Sequence, residues 1–162
     1  MKISVVDFFR ETGELTLQIP ALPRPTLKEL RRDFSWIKSI ERDTSPTEAV
    51  TLKLGTVLRP SESRVSGAER ECRIAESFSS LTDFLGYQQL KWLADNQDEQ
   101  HAFKALVGKI FIEGPGIIVL HAEDGRRKLP FLNGSERWRL DPNWEWIEHV
   151  FHRDGRLAVA SR

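Results

Sequence analysis

Residues 109–161 read KIFIEGPGIIVLHAEDGRRKLPFLNGSERWRLDPNWEWIEHVFHRDGRLAVAS, and this stretch decides the fold class. Short runs rich in β-branched and aromatic residues alternate with glycine-containing turn signals, which are Gly114-Pro115-Gly116, Asp124-Gly125, Asn133-Gly134 and Asp154-Gly155. Glycine supplies the positive φ that tight hairpin turns require. Several short strands at about ten-residue spacing are typical of an antiparallel sheet. The stretch therefore predicts an antiparallel β-meander from Lys109 to Ser161.

The individual strands of this meander are predicted from their β-prone composition, over residues 110–112, 117–121, 128–132, 137–140 and 156–160. A further run, 144–151, has two interpretations. Its aromatic residues favour a strand, whereas Asp141 and Pro142 just before it are typical of the start of a short helix. Both interpretations stay open on the sequence alone.

The N-terminal segment is predicted to add a β-hairpin to the same sheet. Residues 3–9 favour a strand, and residues 15–19 alternate between apolar and polar side chains. Residues 11–14 between them carry a glycine and suggest the turn. A short helix over 5–11 is the alternative.

Two helical regions follow from capping and periodicity. Thr26 and Glu29 form a capping box. The apolar residues behind it recur at three- and four-residue spacing and are Leu27, Leu30, Phe34, Ile37 and Ile40. This pattern predicts a helix over 26–41. A broad apolar surface predicts a second helix over 83–94, which resumes over 102–107 after a polar run.

The chain between these helices is predicted from alternation and turn content. Residues 49–58 alternate as a strand does. Residues 59–70 contain proline, serines and glycine, and they predict a flexible loop. Residues 71–78 favour a strand, with a short helix as the alternative.

Composition and length indicate one ordinary globular domain. The chain has 162 residues, of which 40% are hydrophobic and 30% are charged, so a single core is feasible. We expect a single α+β domain over 1–162, in which the C-terminal meander and the N-terminal hairpin form an antiparallel sheet with two to three helices on one face. Neither a signal peptide nor an apolar run long enough for a bilayer is evident. We therefore expect a cytoplasmic protein without a membrane partner.

The sequence carries no recognised catalytic signature. Cys72 is the only cysteine, which excludes an intrachain disulfide and a multi-cysteine metal site within one protomer. Lys plus Arg and Asp plus Glu both number 24, so no global field draws the protein to nucleic acid. We expect no cofactor, and enzyme activity is the less favoured class.

An aromatic set in the meander is the first candidate binding site. Trp138, Trp144 and Trp146 lie close together in sequence and beside Arg139. Tryptophan next to arginine is a combination that anchors protein partners and also stacks on bases or sugars. The alternative is that these tryptophans fill the core.

A basic stripe on the first predicted helix is the second candidate. At 100° per residue, Lys28, Arg31 and Lys38 fall on one face of a helix over 26–42. Such a face suits an acidic protein surface or a phosphate backbone. A merely solvated helix face is the alternative.

His149 and His152 form the third and weakest candidate. Two histidines three apart share one face of a helix and can ligate one metal ion there. On a strand the same spacing sends them to opposite faces. A third ligand is not evident from the sequence.

These observations favour a non-catalytic binding protein, such as a small bacterial or phage accessory, adaptor or inhibitor module that engages another protein. The first alternative is a nucleic-acid-binding protein that uses the basic face of the 26–42 helix. The second is a metal-dependent hydrolase that uses His149 and His152.

Overall fold

The computed structural model describes residues 4–6, 17–77 and 84–161. Its helices are α1 Leu27–Asp33, α2 Gly67–Ser77, α3 Tyr87–Asp95 and α4 His101–Lys104, with a short 3₁₀ turn at Gln97–Glu99. Its first five strands are β1 Ser4–Val6, β2 Gln18–Ile19, β3 Ile37–Asp43, β4 Val50–Thr56 and β5 Arg64–Val65. The C-terminal strands are β6 Phe111–Glu113, β7 Ile117–His121, β8 Arg127–Leu129, β9 Phe131–Asn133, β10 Arg139–Leu140, β11 Glu145–Trp146, β12 Phe151–His152 and β13 Gly155–Ser161.

The fold is α+β, and antiparallel pairing dominates its sheets, as the sequence predicts. The large sheet has the strand order β1-β4-β13-β6-β9-β10, with β2 also paired to β4, and only its β13–β6 pair is parallel. The small sheet has the order β11-β8-β7-β3 and is antiparallel throughout. A third pair joins β12 to β5. The predicted meander strands are thus present but divided among three sheets.

The helices pack on both larger sheets. Leu90 and Leu93 of α3 and Phe103 of α4 join the main core cluster with Leu54 and Ile112 of the large sheet. Helix α1 instead contributes to a separate cluster on the small sheet. Helix α2 lies on the opposite side of that small sheet, where its residues Ile74 and Ala75 line a cavity together with Ile118 of β7 and Leu129 of β8.

The predicted helix over 26–41 is wrong in its second half. The cap is as predicted, since Thr26 Oγ1 accepts the N–H of Glu29 at 3.2 Å. The helix, however, ends at Asp33, and β3 follows and pairs with β7. Two register shifts in β3 allow Ile37 and Ile40, three residues apart, both to pack in the cluster under α1. Helical spacing of these β-branched residues therefore reflects a bulged strand.

The strand interpretation of residues 71–78 is also wrong, because helix α2 covers 71–77, in agreement with the helical alternative, and residue 78 lies outside the described residues. Ser66 Oγ accepts the N–H of Glu69 and caps its first turn. The predicted loop over 59–70 accordingly contains β5 and the first turn of α2. The helix begins very close to the β11–β12 connection, since a Cβ on Gly67 would lie 2.3 Å from the Ile147 carbonyl oxygen.

The N-terminal strands do not pair with each other in the described residues. Both β1 and β2 pair with β4, β1 opposite residues 54–56 and β2 opposite residues 50–51. The turn predicted over 11–14 and most of the alternative helix over 5–11 lie outside the described residues.

Two predicted strand segments of the meander are divided. The 128–132 segment changes sheet at Pro130, which has no N–H to donate and whose carbonyl accepts the N–H of Gly114. The 144–151 run forms neither one strand nor a helix but the short strands β11 and β12. In the described parts of the chain, no helix has the length and apolar character needed to cross a bilayer.

Candidate binding surface

The small sheet has two distinct faces that follow from strand alternation. Val119 pairs with Lys128 and Lys128 pairs with Trp146, so these three side chains share one face, named here the α1 face. Their neighbours Ile118 and Leu129 point to the other face, named the α2 face. Each face carries a different chemistry.

A buried aromatic cluster underlies the α1 face. Trp144 is 4% exposed, and its ring lies 5.3 Å from that of Phe34 and 6.0 Å from that of Tyr87, measured between centroids. Trp36 meets Trp144 edge-on at 5.7 Å. Aromatic pairs in these arrangements add about 0.5–1.5 kcal/mol each beyond area burial. The cluster gives the surface above it a rigid base.

Three partly buried rings continue this cluster to the surface, and together Trp36, His121 and Trp146 are called the aromatic platform. The His121 ring stacks on Trp36 at 5.4 Å with an interplanar angle of 16°. Its centroid also lies 5.5 Å from that of the Trp146 ring, at an interplanar angle of 43°. His121 Nδ1 accepts the N–H of Glu123, so a neutral ring carries its proton on Nε2. The Trp36 Nε1–H donates to the Pro142 carbonyl at 3.2 Å.

Lys128 holds the two indoles of the platform together. Its Nζ lies 4.7 Å from the Trp36 ring centroid and 4.1 Å from the Trp146 ring centroid, which is cation–π distance. The ammonium also donates to the Asn143 carbonyl. Lys128 is only 6% exposed, and burial lowers the pKa of its ammonium, against the attraction of nearby carboxylates. The buried ammonium thus fixes the two indoles relative to each other.

Arg126 is a solvent-exposed cation beside the platform. It is exposed, and its guanidinium lies 5.0 Å from the Trp146 ring centroid. Its neighbour Arg127 points to the α2 face instead and forms 3.0 Å ion pairs with Glu41 and Glu71. An indole flanked by an exposed guanidinium can contact an apolar group and an anion at the same time.

The structure separates the three predicted tryptophans. Trp138 and Trp144 are 3% and 4% exposed, so the binding-surface interpretation is wrong for both, and they fill the core. Trp146 alone reaches the surface as part of the platform. Arg139 is exposed on β10 of the large sheet, so it belongs to a different sheet from Trp146.

The two other members of the platform, Trp36 and His121, and the adjoining Lys128 are not recognisable as one site in the sequence, because they come from different strands and loops. Trp36 precedes β3, His121 ends β7 and Lys128 lies on β8. The only sequence signal was that Trp36 lies off the apolar stripe of the predicted helix. Strand pairing is what brings these residues to Trp146.

The predicted basic helix face is not continuous. Lys28 and Arg31 are exposed on α1, but Lys38 lies on β3, because the helix ends at Asp33. The prediction of one basic face on a 26–42 helix is therefore wrong. What remains is a short basic surface on α1, formed by Lys28, Arg31 and Arg32.

His149 and His152 have little of the geometry of a metal site. Their rings are 6.1 Å apart at an interplanar angle of 60°. His149 Nδ1 lies 3.8 Å from Glu145 Oε1. Across residues 4–6, 17–77 and 84–161, no group of three or more His, Cys, Asp or Glu side chains is arranged to hold a metal ion. The third ligand that the hypothesis requires is not found in this part of the chain.

A buried ion pair joins α2 to β6 behind the small sheet. Arg70 Nη1 donates to both oxygens of Glu113 at 2.9 and 2.7 Å, and Arg70 Nη2 donates to the Ile147 carbonyl at 2.6 Å. Both side chains are 2% exposed. Burial raises the pKa of the Glu113 carboxyl, against the opposing attraction of Arg70. The pair ties α2 to β6, and Arg70 also borders the cavity between α2 and the small sheet.

Tyr87 links the aromatic cluster to a groove of about 390 Å³ between α1 and α3. Burial raises the pKa of its hydroxyl from the ordinary 10 to about 12, with smaller contributions from the carboxylates of Asp33, Asp95 and Glu29. Both effects disfavour the tyrosinate anion.

We expect a spectrophotometric titration of the folded protein to show a tyrosinate midpoint near 12 for Tyr87. It is the only tyrosine, so the absorbance change reports on this side chain alone. Because the folded pKa is raised, the stabilisation from the neutral hydroxyl is complete below about pH 10 and is lost as the pH rises towards 12. In denaturant the midpoint should return to about 10. A folded-state midpoint near 10 would contradict the buried position.

No protein-family model matches this chain. Comparisons with curated proteins and with solved structures likewise give no significant match. The basis for a functional assignment is therefore the chemistry of the described residues.

Proposed function

We propose that this protein is a non-catalytic binding protein, an accessory, adaptor or inhibitor module that engages a partner protein through the aromatic platform. The observation that carries the proposal is the pair of partly exposed indoles, Trp36 and Trp146. Trp36 stacks on His121, Trp146 meets the same ring at a tilt, and Lys128 contacts both indoles. Trp and Arg are the residue types most enriched at binding hot spots.

Rigidity of the platform favours binding. Ordering a side chain on association costs about 0.5–1.5 kcal/mol. The indole of Trp36 is already fixed by its hydrogen bond to Pro142 and by the Lys128 ammonium. The platform is therefore preorganised, and contacts with a partner need not offset this cost.

The chemistry of the platform defines the partner segment. The exposed parts of the two indoles suit an apolar or aromatic side chain, and Arg126 suits a carboxylate beside it. The chain as a whole is neutral, so attraction is local and recognition depends on direct contact. We propose a partner segment in which an acidic residue neighbours an aromatic one.

Selection from a displayed random-peptide library tests this proposal. We expect the wild-type protein to enrich peptides that combine acidic and aromatic residues, and the Trp146→Ala and Arg126→Ala variants to bind them about tenfold or more weakly. The matched controls are Trp92→Ala on α3 and Arg153→Ala beyond β12, which lie away from the platform. These two should retain wild-type affinity.

Two results would count against a protein partner. The first is selection of peptides whose affinity is the same for wild type and for both platform variants. The second is binding of single-stranded oligonucleotides that depends on Trp146 and weakens steeply with salt. That second result would favour the nucleic-acid alternative, for which the exposed Lys28, Arg31 and Arg32 of α1 supply further cations.

A further inference from the structure

We infer that the α2 face of the small sheet holds a binding site for a small apolar carboxylic acid. Between this face and α2 lies a cavity of about 230 Å³. Its apolar wall is formed by Ile74, Phe84, Pro115, Ile118, Leu129 and Ile147. The site is on the opposite side of the sheet from the aromatic platform and does not depend on the function proposed for it.

Arg42 makes this cavity more than a packing defect. It lies on β3 opposite Ile118, so its side chain shares the cavity face. Its Nε atom is buried and has no hydrogen-bond acceptor in the described residues. A buried donor left unpaired costs about 1–3 kcal/mol, and more when it is charged. The Arg42 side chain as a whole is partly exposed. A small movement of its guanidinium would bring Nε to an acceptor supplied by a ligand and would remove this cost.

The other charged groups around the cavity already have partners. Arg70 is engaged with Glu113 and with the Ile147 carbonyl. Glu71 accepts from Arg127. Among the described residues around the cavity, Arg42 therefore supplies the cationic donor that is left for a ligand, and this donor suits an anion or a strong acceptor.

The shape and polarity of the cavity narrow the class of ligand. A planar guanidinium matches a carboxylate, to which it can donate two parallel N–H bonds. The apolar walls suit a hydrocarbon chain or a single ring. At about 30 Å³ for each water-sized group, the cavity holds roughly eight such groups. Short-chain fatty acids and single-ring aromatic acids have this size.

Calorimetric titration with two acids and their neutral amides tests the site. The probes are hexanoate with hexanamide, and phenylacetate with phenylacetamide. We expect at least one acid to bind and its amide to bind about tenfold or more weakly, because the amide lacks the charge that strengthens the bond to Arg42. The comparison of the two acids shows whether the chain or the ring is preferred.

Substitutions locate the binding. Arg42→Met should weaken binding of the acid by about ten- to hundredfold, while Lys38→Met, an exposed position on the same strand, should leave it unchanged. If Arg42→Met does not fold, Ala75→Leu places a larger side chain at the α2 wall and should also reduce affinity. In the wild type, the Arg42 Nε–H resonance should shift on addition of the acid.

Three results would overturn the inference. The first is no binding of either acid at millimolar concentration, and the second is equal binding of acid and amide. The third is acid binding that is unchanged by Arg42→Met, together with a wild-type Arg42 Nε–H resonance that does not shift when the acid is added. None of them bears on the aromatic platform, so this inference can fail while the proposed function stands.

Discussion

Replacing Arg70 with methionine should lower the free energy of unfolding by about 3–5 kcal/mol, because it leaves a buried charge without its partner. The Glu113 carboxylate is 2% exposed and loses both hydrogen bonds that Arg70 donates to it. The Ile147 carbonyl loses its donor as well. Chemical denaturation measures the change, and an unchanged denaturant slope would show that the folded state stays compact.

A double-mutant cycle separates the energy of the interaction between Arg70 and Glu113 from the effect of substituting each side chain alone. We expect Arg70→Met with Glu113→Leu to be markedly more stable than Arg70→Met alone, since the unpaired carboxylate is gone. As a control, Arg137→Met removes an exposed pair with Asp98 and should cost far less. A single Arg70→Met variant of wild-type stability would mean that the buried pair is not formed.

The pH dependence of Arg70→Met has a definite sign. Burial raises the folded-state pKa of Glu113 above the ordinary 4.5, and loss of the Arg70 charge raises it further. For an acid with a raised folded pKa, stability is full below the unfolded pKa and falls as the pH rises through the folded pKa. The stability gap between wild type and variant should therefore narrow as the pH is lowered. A gap that widens towards acid would contradict this arrangement.

Replacing Trp138 with alanine should cost about 3–5 kcal/mol of unfolding free energy, the usual range for a buried aromatic residue. The ring is 3% exposed and stacks on Phe103 with centroids 4.9 Å apart. Its Nε1–H donates to the Phe103 carbonyl at 2.9 Å. The loss thus combines a cavity with the removal of one hydrogen bond to the Phe103 carbonyl, which still accepts the Leu106 N–H.

Two matched variants sharpen this test. Trp138→Phe keeps much of the apolar volume and loses the bond to Phe103, so it should cost less than alanine. Trp146→Ala removes a partly exposed indole and should also cost less. Equal effects of Trp138→Ala and Trp146→Ala on stability would contradict the conclusion that Trp138 is buried and Trp146 is partly exposed.

Local features of the fold were predictable because their causes lie within a few residues. The Thr26 cap begins α1 as expected, since its partner Glu29 is three residues away. Gly125 and Gly134 have the positive φ that their turns require. The strand Ile117–His121 has the predicted bounds. In each case, residues within a few positions in the sequence determine the local structure.

Features that depend on pairing were not predictable. Ile37 and Ile40 satisfy a helical period, yet pairing with β7 across two register shifts makes a strand. Trp144 has a positive φ of 52°, which is rare for a bulky residue. No local sequence pattern predicts this conformation. Its burial depends on Phe34 and Tyr87, which are far away in sequence.

The sequence by itself determined the α+β class, the hairpin turns at Gly125 and Gly134 and the region in which one member of the candidate surface, Trp146, would lie, because capping and turn chemistry act over three or four residues. The predicted turns at Gly114-Pro115-Gly116 and Asp154-Gly155 instead connect strands of different sheets. The tertiary structure alone decided which tryptophans are core. It also brought Trp36, His121 and Lys128 to Trp146 and left Arg42 over an apolar cavity. These outcomes depend on strand register, and register is set by burial of whole faces over long sequence distances.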